Sequence, residues 1–278
     1  MSSLLACTKA YLKEVSLCVF AMKPAGRYLT VLPDDIFLVS YMRSGSTWCR
    51  FLFGNLVQQE EPVTFINLNR IVPTIESYPD RILRRLPRIL KSHEPFDPRY
   101  PRVIYLVRDP RDIAVSLYYY SQKIRILPND YSMDIFVRRY IDDTILPLWN
   151  RRGSWEDHVL SWIRLRQGRS TFCLIRYEDL LSDPVAQLSK AARILRIEPA
   201  PERIERAINL SSASNMRSLE QVQWKKWKVS KHTRADIPFV REASSGFWRN
   251  HLSEFAVRNI EQAWGETMHE LGYQLDFA

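Results

Sequence analysis

The sequence lacks paired cysteines and any cluster of residues spaced as metal ligands. Its four cysteines are Cys7, Cys18, Cys49 and Cys173. They form no C-x-x-C pair, and no histidine pair stands near them, so the spacing that zinc sites require is missing. The sequence therefore predicts no metal site, and the cysteines are interpreted as ordinary buried thiols of a reducing compartment.

Long apolar runs are also missing. The longest candidate for a membrane segment covers only residues 15–22, whereas a spanning helix needs roughly 20 apolar residues. The charges of Lys9, Lys13 and Glu14 are scattered through the N-terminus, which does not fit the layout of a cleavable signal. We therefore expect residues 4–23 to form an amphipathic or partly buried helix of a cytoplasmic protein without a transmembrane segment.

No internal repeat, Gly/Ser-rich linker or block of one charge sign divides the chain, which favours a single domain over residues 1–278 with a helical extension at 1–31. A hydrophobic fraction of 46% with 12% aromatic residues excludes a disordered protein. The 40 basic and 31 acidic side chains give a net charge of +9. This surplus suits a solvated surface, but also a phosphate ligand, a nucleic acid or an acidic membrane.

Short apolar runs alternate with longer amphipathic stretches, which is typical of βαβ units. Strands are predicted at 35–41, 88–91, 102–107 and 171–176. Helices are predicted at 46–57, 110–122, 132–141, 154–166, 184–196, 201–209 and 253–270, and the least regular region at 221–247. The longer apolar runs are continuous, as in strands covered on both faces, so the predicted fold is α/β with a central parallel sheet flanked by helices.

The first predicted strand runs into the loop Ser40-Tyr-Met-Arg-Ser-Gly-Ser-Thr-Trp48, directly before a helix. Such a junction directs backbone N–H groups and the positive end of the helix dipole at an anion, and Arg43 would add a full charge. The loop lacks the Gly-Lys pair of a Walker A motif, which disfavours magnesium-dependent nucleotide hydrolysis. The alternative is a plain turn in which Ser46 or Thr47 caps the helix.

A second strand-to-helix junction is Tyr105-Leu-Val-Arg-Asp-Pro-Arg-Asp-Ile-Ala-Val-Ser116. Arg108 lies at the carboxyl end of the strand, where ligands bind in open α/β sheets, and Ser116 follows about two turns into the helix. The pair is a candidate site for a second anionic group. The alternative is a set of local ion pairs of Arg108 and Arg111 with nearby aspartates, which contribute little to stability.

The two junctions resemble the cofactor motifs of the sulfotransferases that use 3′-phosphoadenosine 5′-phosphosulfate (PAPS). Further segments similar to the cytosolic-type branch are Leu32-Pro-Asp-Asp-Ile-Phe-Leu38, Lys91-Ser-His93, Gly153-Ser-Trp-Glu-Asp-His-Val159, Tyr177-Glu-Asp-Leu180 and Gly246-Phe-Trp-Arg-Asn-His251, from about residue 32 to residue 270. The resemblance implies a P-loop-like fold with a central parallel sheet. It also implies transfer of a sulfuryl group to an acceptor hydroxyl or amine without a metal, which leaves adenosine 3′,5′-bisphosphate (PAP).

The resemblance implies a role for each matching residue. The residues expected to cradle the 5′-phosphosulfate are Arg43, Ser44, Gly45, Ser46 and Thr47, and those expected at the 3′-phosphate are Arg108, Ser116 and Arg241. Trp48 would offer a face to the adenine and Tyr177 a hydroxyl to its edge. Without the resemblance, these two aromatic side chains would more readily be assigned to core packing.

His93 is the candidate general base, because an imidazole of near-neutral pKa can take the proton of an acceptor hydroxyl. Its place just after a strand that carries Lys91, together with the resemblance, supports this role. Arg43 and Lys91 would supply positive charge to the transferring group, by analogy with phosphoryl transfer. His158 is the rival base, although its helical position favours packing or capping.

Several positions depart from the family pattern. Arg43 stands where the cytosolic pattern has lysine, and its planar fork replaces a point donor. The segment Arg241-Glu-Ala243 lacks a cation and a glycine, and Ala213 lies where an aromatic would stack on adenine. Arg258 replaces an expected acid in the dimer-forming stretch, so both a monomer and an atypical dimer stay open.

Two alternatives to a sulfotransferase remain at this stage. One is a small-molecule P-loop kinase, which shares the sheet and the anion loop. The other is a basic module for nucleic acid or anionic lipid, which the cluster Trp224-Lys-Lys-Trp-Lys228 would suit, although a solvated lid segment fits it better. We favour a small-molecule or lipid-like acceptor and no nucleic acid. Candidate acceptor residues are Phe96, Tyr119, Tyr120, Phe239 and Phe247.

Overall fold

The computed structural model describes residues 24–86, 88–145, 152–227 and 232–277. The helix predicted at 4–23, together with Cys7, Cys18 and Lys228, lies outside these ranges. In the part of the chain that is described, no helix is both long and apolar enough to cross a membrane.

A four-stranded parallel sheet forms the centre of the fold. Its strands are Ile36–Ser40 (β1), Ile89–Ser92 (β2), Arg102–Val107 (β3) and Phe172–Arg176 (β4), in the order β2-β1-β3-β4. All three pairings are parallel, and every residue of β1 is buried. The prediction of a parallel sheet with strands at these positions is therefore confirmed.

Helices connect and cover the strands. They are Ser46–Val57 (α1), Leu68–Ile71 (α2), Asp80–Leu83 (α3), Pro110–Lys123 (α4), Met133–Ile141 (α5), Trp155–Arg166 (α6), Tyr177–Ser182 (α7), Pro184–Leu195 (α8), Pro201–Leu210 (α9), Ala213–Gln223 (α10) and Glu254–Glu270 (α11). Each of the predicted helices outside 4–23 is present, with ends that differ by one residue at most. The prediction missed the short helices α2, α3 and α7, and also α10, which enters the region interpreted as irregular.

Local capping explains where several of these helices begin. The Asp183 carboxylate accepts a hydrogen bond from the Ala186 amide, and Pro184 occupies the first position of α8, as predicted. Ser154 and Asp157 form a reciprocal capping box at the start of α6. These side chains bind amide groups that would otherwise lack a partner at a helix start.

The sheet separates two apolar cores, because successive side chains of a strand point to opposite faces. Phe37, Val39 and Tyr105 belong to one core with residues of α4, α5, α6 and α11. Leu38 and Ile104 belong to the other core with residues of α1, α8 and α9. The molecule thus has three layers, and all four strands end at the same edge of the sheet.

Candidate active site

A cavity of about 730 Å³ lies at the carboxyl ends of the strands. Every residue predicted to bind the cofactor or to act in catalysis lines this cavity except Ser44. The lining residues among them are Arg43, Gly45, Ser46, Thr47, Trp48, Lys91, His93, Arg108, Ser116, Tyr177 and Arg241. Ser44 is fully buried just behind the lining, and its Oγ has no hydrogen-bond partner within the described part of the chain.

The loop after β1 reaches α1 through a glycine in the left-handed region. Gly45 has φ 99°, and a Cβ atom added there would lie 2.7 Å from the ring of Tyr177. No described side chain caps α1, so the alternative of a turn capped by Ser46 or Thr47 is wrong. The start of a twelve-residue helix therefore directs its backbone amides at the cavity.

Arg43 is held by neutral groups. Its Nε donates to the Ser116 hydroxyl over 3.1 Å, and its guanidinium carbon lies 4.5 Å from the ring centre of Tyr120 and 4.8 Å from that of Phe239. Burial lowers the pKa of Arg43 to about 10, which leaves the side chain charged at neutral pH. The loop after β1 and helix α4 thus bring Arg43 and Ser116 into direct contact.

Arg108 faces the cavity from the end of β3. Its guanidinium carbon lies 3.9 Å from the ring centre of Tyr177, one terminal nitrogen donates to the Ser244 carbonyl over 2.9 Å, and its buried Nε has no partner among the described residues. The neighbouring Arg111 forms a local ion pair with Asp109, at 2.7 Å. Arg108 also has a local ion pair, with one terminal nitrogen 3.7 Å from the Asp112 carboxylate. The sequence alternative of local ion pairs therefore holds for both arginines, and Arg108 additionally lines the cavity.

Trp48 and Tyr177 pack edge to face, with ring centres 5.4 Å apart. The indole Nε1 of Trp48 donates to the Ser211 carbonyl over 3.0 Å, which fixes the plane of the ring. Ala213 lines the same part of the cavity and has no ring to add.

The segment Arg241-Glu-Ala243 lines the cavity as well. The guanidinium carbon of Arg241 lies 3.8 Å from the ring centre of Tyr119, and one of its nitrogens lies 3.8 Å from the Glu242 carboxylate. Ala243 has φ 53°, a left-handed conformation in which a glycine would be unstrained. The departures from the family pattern thus add a carboxylate and a strained residue to this wall.

His93 follows β2 and is buried at the cavity wall. Its Nδ1 lies 2.7 Å from the Ser40 carbonyl oxygen. Because a carbonyl only accepts, Nδ1 carries the hydrogen of the neutral ring and Nε2 carries the lone pair. Burial, together with the nearby charges of Lys91 and Arg152, lowers the pKa of His93 well below 6.5, so the imidazole is neutral at physiological pH.

His158 does not line the cavity. It is fully buried between Tyr105, whose hydroxyl lies 2.8 Å from Nδ1, and the His93 carbonyl, which lies 3.1 Å from Nε2. The rival base of the sequence analysis is thus a packing residue that supports the backbone of His93.

Glu76 is a cavity residue that the sequence analysis missed. Its carboxylate contacts the backbone amide of His93 and lies 3.5 Å from the Lys91 Nζ. Burial lowers the pKa of Lys91 to about 8, although Glu76 favours the charged form. Helix α3 separates Glu76 from β2 in the sequence, and no motif marked this residue.

The other sequence candidates fall in different places. Tyr120, Phe239 and Phe247 line the cavity, whereas Phe96 packs against Trp162 with ring centres 5.3 Å apart. Trp227 is buried against Phe65 rather than exposed for stacking on a nucleic acid. Among the residues that the structure covers, no group of three or more His, Cys, Asp or Glu could hold a metal ion.

The parallel three-layer fold with an uncapped helix start, buried arginines and a histidine at the strand ends defines a P-loop-like nucleotide-binding enzyme. The profile of the sulfotransferase domain family matches residues 33–272. The chain therefore belongs to the PAPS-dependent sulfotransferases, which transfer a sulfuryl group from PAPS to small molecules and leave PAP. This membership does not favour the kinase or the basic binding module.

Individual relatives agree with the family. Rat sulfotransferase 2B1 is 29% identical over 257 residues, which cover 87% of this chain and 73% of that protein. Rat sulfotransferase 1E1 is 28% identical over 262 residues, which cover 86% of this chain and 84% of that protein. The structure of mouse sulfotransferase SULT7A1 complexed with PAP is similar with a TM-score of 0.69 at 23% identity, and the match covers 88% of this chain and 87% of that one.

Proposed function

We propose that the chain transfers the sulfuryl group in line to a hydroxyl or amine of its acceptor, with His93 as the general base. The observation that carries this proposal is the hydrogen bond of Nδ1 to the Ser40 carbonyl, which leaves the lone pair of the neutral ring on Nε2. The depressed pKa of His93 keeps the ring in the form that accepts a proton at neutral pH. Proton removal is needed because an acceptor hydroxyl is a weak nucleophile.

The residues at the strand ends fit a ligand with two anionic groups. PAPS supplies a sulfuryl group activated by its bond to a phosphate. The amides of Gly45, Ser46 and Thr47 would bind the 5′-phosphosulfate, with Ser44 buried behind them. The unpartnered Nε of Arg108, together with Arg241 and Ser116, would bind the 3′-phosphate, and Trp48 and Tyr177 would contact the adenine.

Arg43 and Lys91 would stabilise the negative charge that develops during transfer. Both line the cavity, Arg43 beside the start of α1 and Lys91 two residues before His93. Arg43 remains charged at neutral pH, and so does the larger part of Lys91 with its pKa of about 8. Fixed positive charges in a site shielded from water are worth more than the same charges in bulk solvent.

The acceptor that best fits the cavity is a small apolar or lipid-like molecule that carries the reacting group. Tyr120, Phe239 and Trp227 line the cavity with His93 and Lys91. Aromatic walls bind apolar ligands, and a few polar groups then orient them. The oligomeric state and the cytoplasmic location stay predictions, and sedimentation of the purified protein decides the first.

A transfer assay with ³⁵S-labelled PAPS tests the function directly. The purified protein is loaded with PAPS and offered phenols, alcohols, sterols, amines and sugars, and labelled products are counted. His93→Ala should lower kcat by about 10²- to 10⁴-fold because it removes the general base. PAP affinity, measured by calorimetry, should stay nearly unchanged.

His269→Ala is the matched control, because His269 is exposed on α11 and does not line the cavity. It should retain wild-type turnover and PAP affinity. Near-normal turnover of the His93→Ala variant would contradict the assignment of the base, and transfer to none of the acceptor classes would contradict the proposed activity.

A further inference from the structure

Glu76 contacts both His93, the proposed general base, and Lys91, which is proposed to stabilise the negative charge that develops during transfer. One carboxylate oxygen accepts the backbone N–H of His93, and the other lies 3.5 Å from the Lys91 ammonium. The side chain of Glu76 is only 16% exposed and that of Lys91 only 8%. A carboxylate with so little exposure to water is costly unless it has partners. Two partners of Glu76 belong to the β2 end of the site, and the third is Arg152, whose guanidinium lies 4.0 Å from the carboxylate.

The backbone fixes Glu76 in this place. Residues 73–76 run beside β2: the Lys91 amide donates to the Pro73 carbonyl over 2.8 Å, and the Ile75 amide donates to the Lys91 carbonyl over 3.0 Å. Thr74 forms an isolated parallel bridge with Lys91. A turn over residues 75–77 follows, in which the Ser77 amide donates to the Thr74 carbonyl over 3.0 Å, and this turn puts Glu76 next to the end of β2.

We infer that Glu76 is a positioning residue of the transfer reaction: it orients His93 through the backbone amide and keeps the Lys91 ammonium charged. This inference rests on the proposed function. Glu76 itself need not touch the reacting atoms, because it acts through the two residues that do.

The charged groups around Lys91 explain why the Glu76 carboxylate matters for the protonation of this lysine. Lys91 faces Arg50 from α1, Arg152 from the segment before α6, His93 from its own strand end, and Glu76. Burial and the two arginines lower the pKa of Lys91, and the carboxylate opposes them. Loss of the carboxylate charge would therefore lower the pKa of Lys91 further, and less of the ammonium form would remain at neutral pH.

The first test reads the titration of Lys91 without any cofactor or acceptor. Competitive acetylation with acetic anhydride between pH 6 and 10, with mass spectrometry of the Lys91 peptide, gives the pKa of this amine. In Glu76→Gln it should fall by about 1 unit, the lower end for loss of an opposite charge at this range. Glu76→Asp keeps the charge and should stay close to wild type. An unchanged titration in Glu76→Gln would overturn the inference.

Glu94→Gln is the matched control. Glu94 also lies near Arg152, at 3.7 Å, but it does not line the cavity and pairs with Arg27 on its outer side. This variant should leave the Lys91 titration unchanged. An equal shift in Glu94→Gln and Glu76→Gln would show a general field effect and would also overturn the inference.

The second test uses turnover with ³⁵S-labelled PAPS and an acceptor identified in the screen above. The alkaline limb of the kcat profile should move to lower pH in Glu76→Gln by the same amount as the Lys91 titration, whereas a merely structural loss would lower kcat equally at every pH. A lower kcat with no shift of the limb contradicts the inference. Absence of transfer by the wild-type protein contradicts the proposed function instead and leaves the Lys91 titration to be judged separately.

Discussion

Three arginine side chains of this site lie against aromatic rings. Arg43, Arg108 and Arg241 are each placed over aromatic rings, with guanidinium carbons 4.5, 3.9 and 3.8 Å from the ring centres of Tyr120, Tyr177 and Tyr119. A ring face attracts a cation without neutralising it. Two of these arginines also lie near a carboxylate, Arg108 at 3.7 Å from Asp112 and Arg241 at 3.8 Å from Glu242. The basic side chains that line the cavity nevertheless outnumber the two lining carboxylates, Glu76 and Glu242. The cavity therefore keeps a surplus of positive charge for an anionic ligand.

Gly45→Ala tests the close approach of the loop to Tyr177. The left-handed conformation costs an alanine about 1–2 kcal/mol, and its Cβ would lie 2.7 Å from the ring. The free energy of unfolding should fall by more than that conformational cost, and PAP affinity should fall by about tenfold or more, the equivalent of one lost charge-assisted hydrogen bond. Urea denaturation and calorimetry measure the two effects.

Gly168→Ala separates the steric from the conformational effect. Gly168 has φ 82° but nothing lies within 4 Å of an added Cβ. This variant should show the conformational cost alone and bind PAP normally. Equal effects of the two substitutions would disprove the role of the Tyr177 contact.

At the scale of elements, prediction succeeded where an apolar periodicity marks a helix and failed where polar residues conceal it. Helix α1 was predicted with its exact bounds because an apolar pattern follows the glycine loop directly. Helix α10 was missed because Ser211-Ser-Ala-Ser-Asn215 is typical of a loop. In the fold, Ser212 caps this helix and Met216 anchors it in an apolar cluster, and only the tertiary packing provides that anchor.

Ser253→Ala tests how a cap joins two elements away from the cavity. The Ser253 hydroxyl oxygen accepts from the Ala256 amide at the start of α11, and its proton is donated to the Asp134 carboxylate over 2.6 Å. Loss of the cap should lower the free energy of unfolding by about 0.5–2 kcal/mol. PAP affinity should not change, because no residue of α11 lines the cavity.

Ser189→Ala serves as the control within a helix. The Ser189 hydroxyl donates to the Val185 carbonyl on the exposed face of α8 and caps nothing. Its removal should change stability by no more than about 0.5 kcal/mol. Equal losses in both serine variants would show that the hydroxyl at Ser253 does not act as a cap.

For the whole molecule, a buried histidine couples stability to pH. Burial lowers the pKa of His158 to about 4 from 6.5. Between these values the unfolded chain binds a proton that the folded chain does not, so the free energy of unfolding should fall as the pH is lowered from 7 to 4. The part due to His158 is at most about 3 kcal/mol.

His158→Gln should remove this part, because an amide can accept from Tyr105 and donate to the His93 carbonyl but does not titrate. Urea denaturation at pH 5 and pH 7 measures the difference in each variant. His269→Gln, at an exposed position, should retain the wild-type difference. The same pH dependence in the wild type and in His158→Gln would contradict the buried neutral state of this histidine.

The sequence by itself determined the layers, the parallel strands, the glycine loop and the residue types at the strand ends, because periodicity, caps and short motifs are local properties. Tertiary structure alone decided which residues meet. In the fold, Glu76 lies against Lys91 and His93, and His158 lies outside the cavity. Arg43 contacts Tyr120 and donates to Ser116. These contacts join segments far apart in the chain, and their geometry depends on the packing of all three layers together. The composition gives a net charge of +9 but not the positions of the charges. Only the fold brings several arginines and a lysine together around one cavity.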